Sequence, residues 1–163
     1  MWDMIKTTVK GADKAAAALR KAIEGFVTEK AVTIGIHEDE TARNDPDSGI
    51  TNASLGAVHE FGSDAVNIPA RPWLYPGVAS GNVEYLKIIE QGLKDGDTLE
   101  EILQTIGVVA VSKAQQYITE LKTPANAAST ITRKGSSNPL IDTGVLRSSI
   151  NMKIVEKMPQ EDL

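Results

Sequence analysis

The chain has 163 residues, 41% hydrophobic and 24% charged, with a net charge of -5 at neutral pH; that is a globular composition, long enough to bury one sizeable core. It has no cysteine, which excludes disulfides, thiolate nucleophiles and cysteine-based metal sites, and its two histidines, His37 and His59, leave little room for a His-rich metal centre. The acidic balance argues against wrapping nucleic acid, because phosphate binding takes clustered Lys and Arg, and no apolar run nears the roughly 18 residues of a membrane span.

Met1-Trp2-Asp3-Met4-Ile5-Lys6 lacks a basic flank followed by an apolar run, so no secretory signal is expected. Residues 12–27 begin alanine-rich and then place Leu19, Ile23 and Phe26 at spacings of four and three, one face of a helix. Val32, Ile34 and Ile36 alternate with smaller residues and predict a half-buried strand over 31–36. Residues 37–64 then carry seven acids and one base, Arg43. Asn44-Asp45-Pro46-Asp47-Ser48-Gly49 inside them is turn chemistry, so an exposed acidic loop is expected over 37–51. A short helix follows over 52–61, with Leu55, Val58 and Phe61 expected to face inward.

Two prolines, Pro69 and Pro72, hold the next segment extended and keep Ile68 and Arg71 out of helix. A helix is predicted over 76–94, its start near Trp73 or Pro76, with Tyr85, Leu86, Ile89 and Leu93 as its apolar stripe and Gly92 and Gly96 near its end. The clearest helix covers 98–121. Thr98 with Glu101 fits a capping box, as does Asp97 with Glu100 one register earlier, and Leu99, Leu103, Ile106, Ala110, Ala114, Tyr117 and Leu121 recur at helical spacing. Periodicity then vanishes over 122–139, a polar stretch expected to be flexible or a contact arm. Residues 122–150 hold four bases, Lys122, Arg133, Lys134 and Arg147, against one acid, Asp142. A short turn near 142–149, capped by Asp142 or Thr143, leads to a second strand in which Ile150, Met152 and Ile154 alternate. The expected fold is one α+β domain with its core over about 12–155. A small antiparallel or mixed sheet packs against two to three long helices, joined by long loops at 37–51 and 122–139.

Chemistry-bearing patterns are few. Leu140-Ile141-Asp142-Thr143-Gly144 reads like the catalytic loop of a retroviral-type aspartic protease, in which two such aspartates share a proton. Only 19 residues follow Gly144, too few for the strands that fold needs. His59-Glu60 could be an acid/base pair, but adjacent helical residues point about 100° apart, so a solvated helix face is expected. Ile68-Pro69-Ala70-Arg71-Pro72-Trp73-Leu74 is the most informative string. Arg71 stands on stiff backbone between prolines, and Trp73 and Tyr75 are residue types that anchor interfaces; a rigid connector beside a buried Trp is the other reading.

Three strings in order resemble a known family. Leu55-Gly56-Ala57-Val58-His59-Glu60-Phe61-Gly62 resembles its A-x-x-H-E-F-G signature. Ile68 to Leu74 resembles I-P-A-R-P-F-L, with Trp73 in place of the usual Phe. Leu140 to Ile150 resembles L-x-D-T-G-x-L-x-x-S-I. Following a strand such as 31–36, they are similar to the tail-completion or neck proteins of long-tailed bacteriophages, the lambdoid minor tail family and its virion-morphogenesis relatives.

The resemblance implies a structural virion protein at the head–tail junction, with no catalysis and no cofactor, assembled in the bacterial cytoplasm. It implies a ring of copies, six by tail symmetry, beside other neck, tail-terminator or tail-tube proteins, with DNA only as passing cargo and no membrane. Phe61, Arg71, Pro72, Trp73, Arg133, Lys134, Asp142 and Arg147 are the expected contact residues, and Arg71 and Asp142 are an expected pair. The acidic and basic segments suit a head-to-tail contact. The alternatives are a tail-terminator or head-closure protein of an adjacent layer, and a protease-like enzyme acting through Asp142.

Overall fold

A computed structural model describes residues 30–37, 49–135, 137–140 and 144–156, with Arg133 and Lys134 through the backbone alone. Among the described residues the fold is α+β, with six α-helices, one short 3-10 turn and a two-stranded antiparallel sheet. Strand β1, Ala31–Gly35, pairs with β2, Asn151–Val155, in the register Ala31↔Val155 to Gly35↔Asn151. The two predicted strands are therefore partners, closed by a pairing that spans almost all the described chain. The helix expected over 12–27 and most of the acidic loop lie outside the described residues.

Helix α1, Asn52–Phe61, starts at Thr51, whose side chain accepts from the Ser54 amide at 3.0 Å. Its inward face is not the large-residue face expected from sequence. Asn52 and Gly56 are buried, whereas Phe61 is 81% exposed. The reason is the neighbour. A Cβ at Gly56 would lie 3.1 Å from Ile36 Cδ1 and 3.2 Å from Trp73 Cζ2, tighter than ordinary contact, so glycine lets α1 settle there without moving either neighbour.

The single helix expected over 76–94 is two, α2, Leu74–Ala79, and α3, Asn82–Asp95. The break at Ser80 and Gly81 closes α2, with Ser80 Oγ donating to the Gly77 carbonyl at 2.6 Å. The Tyr85 hydroxyl reaches back to the Val78 carbonyl at 2.8 Å and fixes the bend. The expected apolar stripe is also corrected. Leu86 is 67% and Leu93 42% exposed, while Gly92 is buried where a Cβ would lie 2.6 Å from Ile102 Cγ1. Here α3 meets its neighbour through a glycine, with Leu86 and Leu93 turned outward while Tyr85 and Ile89 of the expected stripe are half-buried.

Helix α4, Leu99–Glu120, is the spine. Its buried residues are Ile102, Gly107, Ala110, Ala114 and Ile118, a line rotated from the expected one, whose large members are half-buried at its sides. The rotation follows from what α4 touches. Gly77 of α2 lies where a Cβ would come 2.8 Å from Ala114 Cα, and Gly107 lies under the Met152 and Val32 side chains. Small residues therefore sit where backbone and sheet come closest, and larger ones fill the flanks. Trp73, Ala114, Ile118, Leu140, Leu146 and Ile150 form the buried core, flanked by Ile34, Ile36, Leu74, Val78, Val111, Tyr117 and Leu121.

The capping box at the start of α4 is present. Glu101 accepts from the Thr98 amide and hydroxyl, each at 2.8 Å, and Thr98 Oγ1 accepts from the Glu101 amide at 3.3 Å. The Thr98 amide, then its hydroxyl, hold the Glu101 carboxyl below its ordinary value. A carboxyl so lowered contributes stability above its unfolded-state pKa and loses it as pH falls through the folded one. Thr98→Ala is expected to cost about 1 kcal/mol at neutral pH. Urea unfolding should show the gap to the parent narrowing on acidification; a pH-independent gap would refute the coupling.

Residues 122–139 hold a helix that periodicity did not reveal, α5, Ala128–Lys134, closed by Gly135 at φ +66°. The last helix is α6, Val145–Ser148. Its N-cap position is Gly144 at φ +81°, with no side-chain cap, where Asp142 or Thr143 was expected. Those two residues lie outside the described set.

Candidate functional site

The residues of the three strings are brought together around α1. After Phe61 the chain turns at Gly62, φ +78°, where a Cβ would lie 2.8 Å from the Ala70 nitrogen. A bridge between Ser63 and Ile68 and the Arg71 amide donating to the His59 carbonyl at 2.7 Å lay the Pro69–Pro72 segment back along the helix. The Trp73 indole then donates to the Gly56 carbonyl at 3.1 Å. The third string joins from the other end, with Asn52 Nδ2 donating to Ser149 Oγ at 3.0 Å and Leu146 beside Gly56.

Glu60 is not on the solvated helix face expected from sequence. Its carboxylate accepts from the backbone N–H of Trp73 at 2.6 Å, Leu74 at 2.9 Å and Tyr75 at 3.3 Å. These are amides at the start of α2, which have no partners within the helix, so Glu60 caps α2 from thirteen residues upstream. Spacing rules address caps supplied by the adjoining residue, and no such rule exposes a remote one. Glu60→Gln keeps the shape and removes the charge. It is expected to cost about 1–2 kcal/mol, the range of a lost cap, with faster amide exchange confined to Trp73, Leu74 and Tyr75; unchanged exchange there would refute the role.

Arg71 is buried and reaches the other way. Its Nε donates to the Pro124 carbonyl at 2.8 Å, and Nη2 to the Ala125 carbonyl at 3.3 Å and Asn126 Oδ1 at 3.5 Å. Burial pushes its pKa down from the ordinary guanidinium value. The expected partner Asp142 lies outside the described residues; the partners described are loop oxygens. Asn138, which sequence reading passed over, holds the far end of that loop. Its Nδ2 donates to the Ile118 and Thr119 carbonyls at 3.2 and 3.0 Å, and its Oδ1 accepts from the Leu140 amide at 3.0 Å. Buried polar side chains thus bond the segment expected to be flexible or a contact arm, Arg71 at residues 124–126 and Asn138 at its far end.

The expected contact residues divide accordingly. Trp73, 2% exposed, and Arg71, 6% exposed, are internal, because their side chains hold elements of this chain together. Phe61 is exposed, and so are Pro72 and Arg147. Arg147 donates from Nη1 to Thr119 Oγ1 at 3.3 Å. Tyr75 is 79% exposed. The side chains of Arg133 and Lys134, and all of Asp142, lie outside the described residues.

Phe61 and Tyr75 flank an apolar groove of about 730 Å³ whose walls include Val32, Ile34, Ala57 and Val78. A second cleft of about 720 Å³ lies between α1, residues 125–127 and α6, with Asn52, His59, Arg71 and Asn126 among its walls. Comparison with protein-family models, with curated proteins and with solved structures found no match in any of the three.

Proposed function

We propose that this chain is a structural part of the head–tail junction of a long-tailed phage or prophage particle, completing the tail or joining it to the capsid as a ring. The reading starts from the three ordered strings that resemble that family. One observation carries it further: the three strings meet around α1 through Trp73–Gly56, Glu60–Trp73 and Asn52–Ser149. Strings that match in order and also interlock in space behave as one folded unit, which a chance run of similar letters does not require.

The same interlocking leaves the rings of Phe61 and Tyr75 exposed, on backbone made rigid by Glu60 and the prolines. Rigid, exposed aromatics are the side chains that anchor protein contacts. In a closed ring each subunit offers two different surfaces to its neighbours, and this aromatic edge suits one of them.

The test is particle production. Infectious particles purified from cells should contain the chain at the neck, at a fixed copy number by mass and by electron microscopy. Phe61→Ser with Tyr75→Ser should fold but fail to restore particles to a strain lacking the gene. Asp142→Asn should restore them, as a non-catalytic role requires. Absence of the chain from infectious particles, or full yield without it, would overturn the proposal, and density at an adjacent layer would favour a terminator or head-closure role.

A further inference from the structure

We propose that the cleft between α1, residues 125–127 and α6 is a binding site for a carboxylate carried on an apolar stem. Its volume of about 720 Å³ falls within the range of ligand pockets. It lies on the other flank of α1 from the groove at Phe61 and Tyr75. Asn52, Leu55 and His59 of α1 line this cleft, whereas Ala53, Ala57 and Phe61 line that groove, and the two share no lining residue. The proposal therefore does not depend on the proposed function.

Charge sets the class of ligand. Among the described residues lining the cleft, Arg71 is the one side chain of fixed positive charge, and none is acidic. Arg71 is 6% exposed, and the ion pairs among the described residues do not include it. A guanidinium taken out of water without an opposite charge is costly; burial alone, with no neighbouring charge, moves its pKa, downward. Loop oxygens use only part of its capacity. Nε and Nη2 donate to Pro124, Ala125 and Asn126, and the N–H groups of Nη1 have no acceptor among the described residues. An anion entering the cleft meets a desolvated cation already held in place by its other bonds, so little further ordering opposes binding.

The rest of the wall decides between anions. Leu55, Ile68, Leu140 and Val145 offer apolar surface, which suits a hydrocarbon stem. Phosphate groups carry more charge and are held by clusters of Arg and Lys, whereas one guanidinium matches a monoanion. A carboxylate spreads its single charge over two oxygens. Nη1 serves one. Thr130, half-buried on the same wall and with no hydroxyl partner among the described residues, offers a donor to the other. Such a carboxylate occurs as a free acid, as a chain terminus after an apolar residue, or as an acidic side chain beside one.

Hexanoate and its neutral isostere hexanamide test the site on the full chain. The reporter is the Arg71 Nε–H resonance, assigned by its loss in Arg71→Lys. Hexanoate should shift it saturably, with a dissociation constant on the order of 1 mM for so small a ligand. Hexanamide should bind at least about ten-fold more weakly, for want of the charge, and inorganic phosphate should also be weaker than hexanoate. Val145→Phe fills the cleft from an exposed position on α6; it should weaken hexanoate about ten-fold or more with unchanged circular dichroism, and Thr130→Val about three-fold. Tighter binding of N-acetyl-Ala-Leu than of hexanoate assigns the site to a chain terminus, and tighter binding of N-acetyl-Ala-Glu-amide to an acidic side chain; both support the proposal. No saturable shift, equal binding of hexanamide, or a preference for phosphate would overturn it. So would hexanoate binding only after Asp142→Asn, which would make Asp142 the cleft's own anion.

Discussion

Trp73→Ala is expected to be the most damaging single substitution in the described chain. Trp73 is 2% exposed and packs with Ala114, Ile118, Leu140, Leu146 and Ile150. Removing a buried Trp side chain costs about 3–5 kcal/mol, because neighbours close only part of the space left. The Gly56 carbonyl also loses its indole donor, worth roughly 1 kcal/mol. Thermal unfolding followed by circular dichroism should show a fall in Tm of roughly 10 °C or more. Trp73→Phe keeps an aromatic ring but loses the hydrogen bond, and should cost about 1–2 kcal/mol. The pair separates two roles. A contact residue would leave the Tm of the isolated protein unchanged and affect assembly alone, and that result would overturn the internal assignment.

Arg71→Ala should come next, with a different signature. The guanidinium is a desolvated cation whose Nε and Nη2 donate to the Pro124 and Ala125 carbonyls at 2.8 and 3.3 Å. Two hydrogen bonds from a charged donor are worth about 1.5 kcal/mol each at the low end, so about 3 kcal/mol in all. The damage should be local first. Amide exchange in α5 and residues 125–127 should accelerate while α4 keeps its protection, because α4 packs mainly on α2, α3 and the sheet. Arg71→Lys cannot present the same planar fork and should recover only part of the loss. Uniform acceleration across α4 and α5 would show that Arg71 supports the whole fold and not the loop.

Phe61 and Tyr75 are the counterparts. They contribute little to the fold because their rings are 81% and 79% exposed. Motif residues in this chain thus fall into an internal set, Glu60, Arg71 and Trp73, and an external set, Phe61, Pro72 and Tyr75. The internal set makes the backbone rigid where the external set projects from it.

Several features were determined by the sequence alone. Alternation in 31–36 and 150–155 marks two strands, since a period of two survives any packing that buries one sheet face. A capping box one residue either way, Asp97 with Glu100 or Thr98 with Glu101, marks the start of α4, because such a box is made by residues three apart on one chain, and the structure selects the second. The α+β class follows from those patterns. Tertiary structure decided what depends on neighbours distant in sequence: which face each helix buries, and what each polar side chain holds. Large apolar spacing points to Leu55, Val58 and Phe61, but α1 buries Gly56 because Trp73 and Ile36 occupy the space beyond it. Glu60 and Asn138 bind backbone groups thirteen or more residues away. A period records a segment's own geometry, whereas close approach and remote capping depend on the shape of what arrives from elsewhere in the chain.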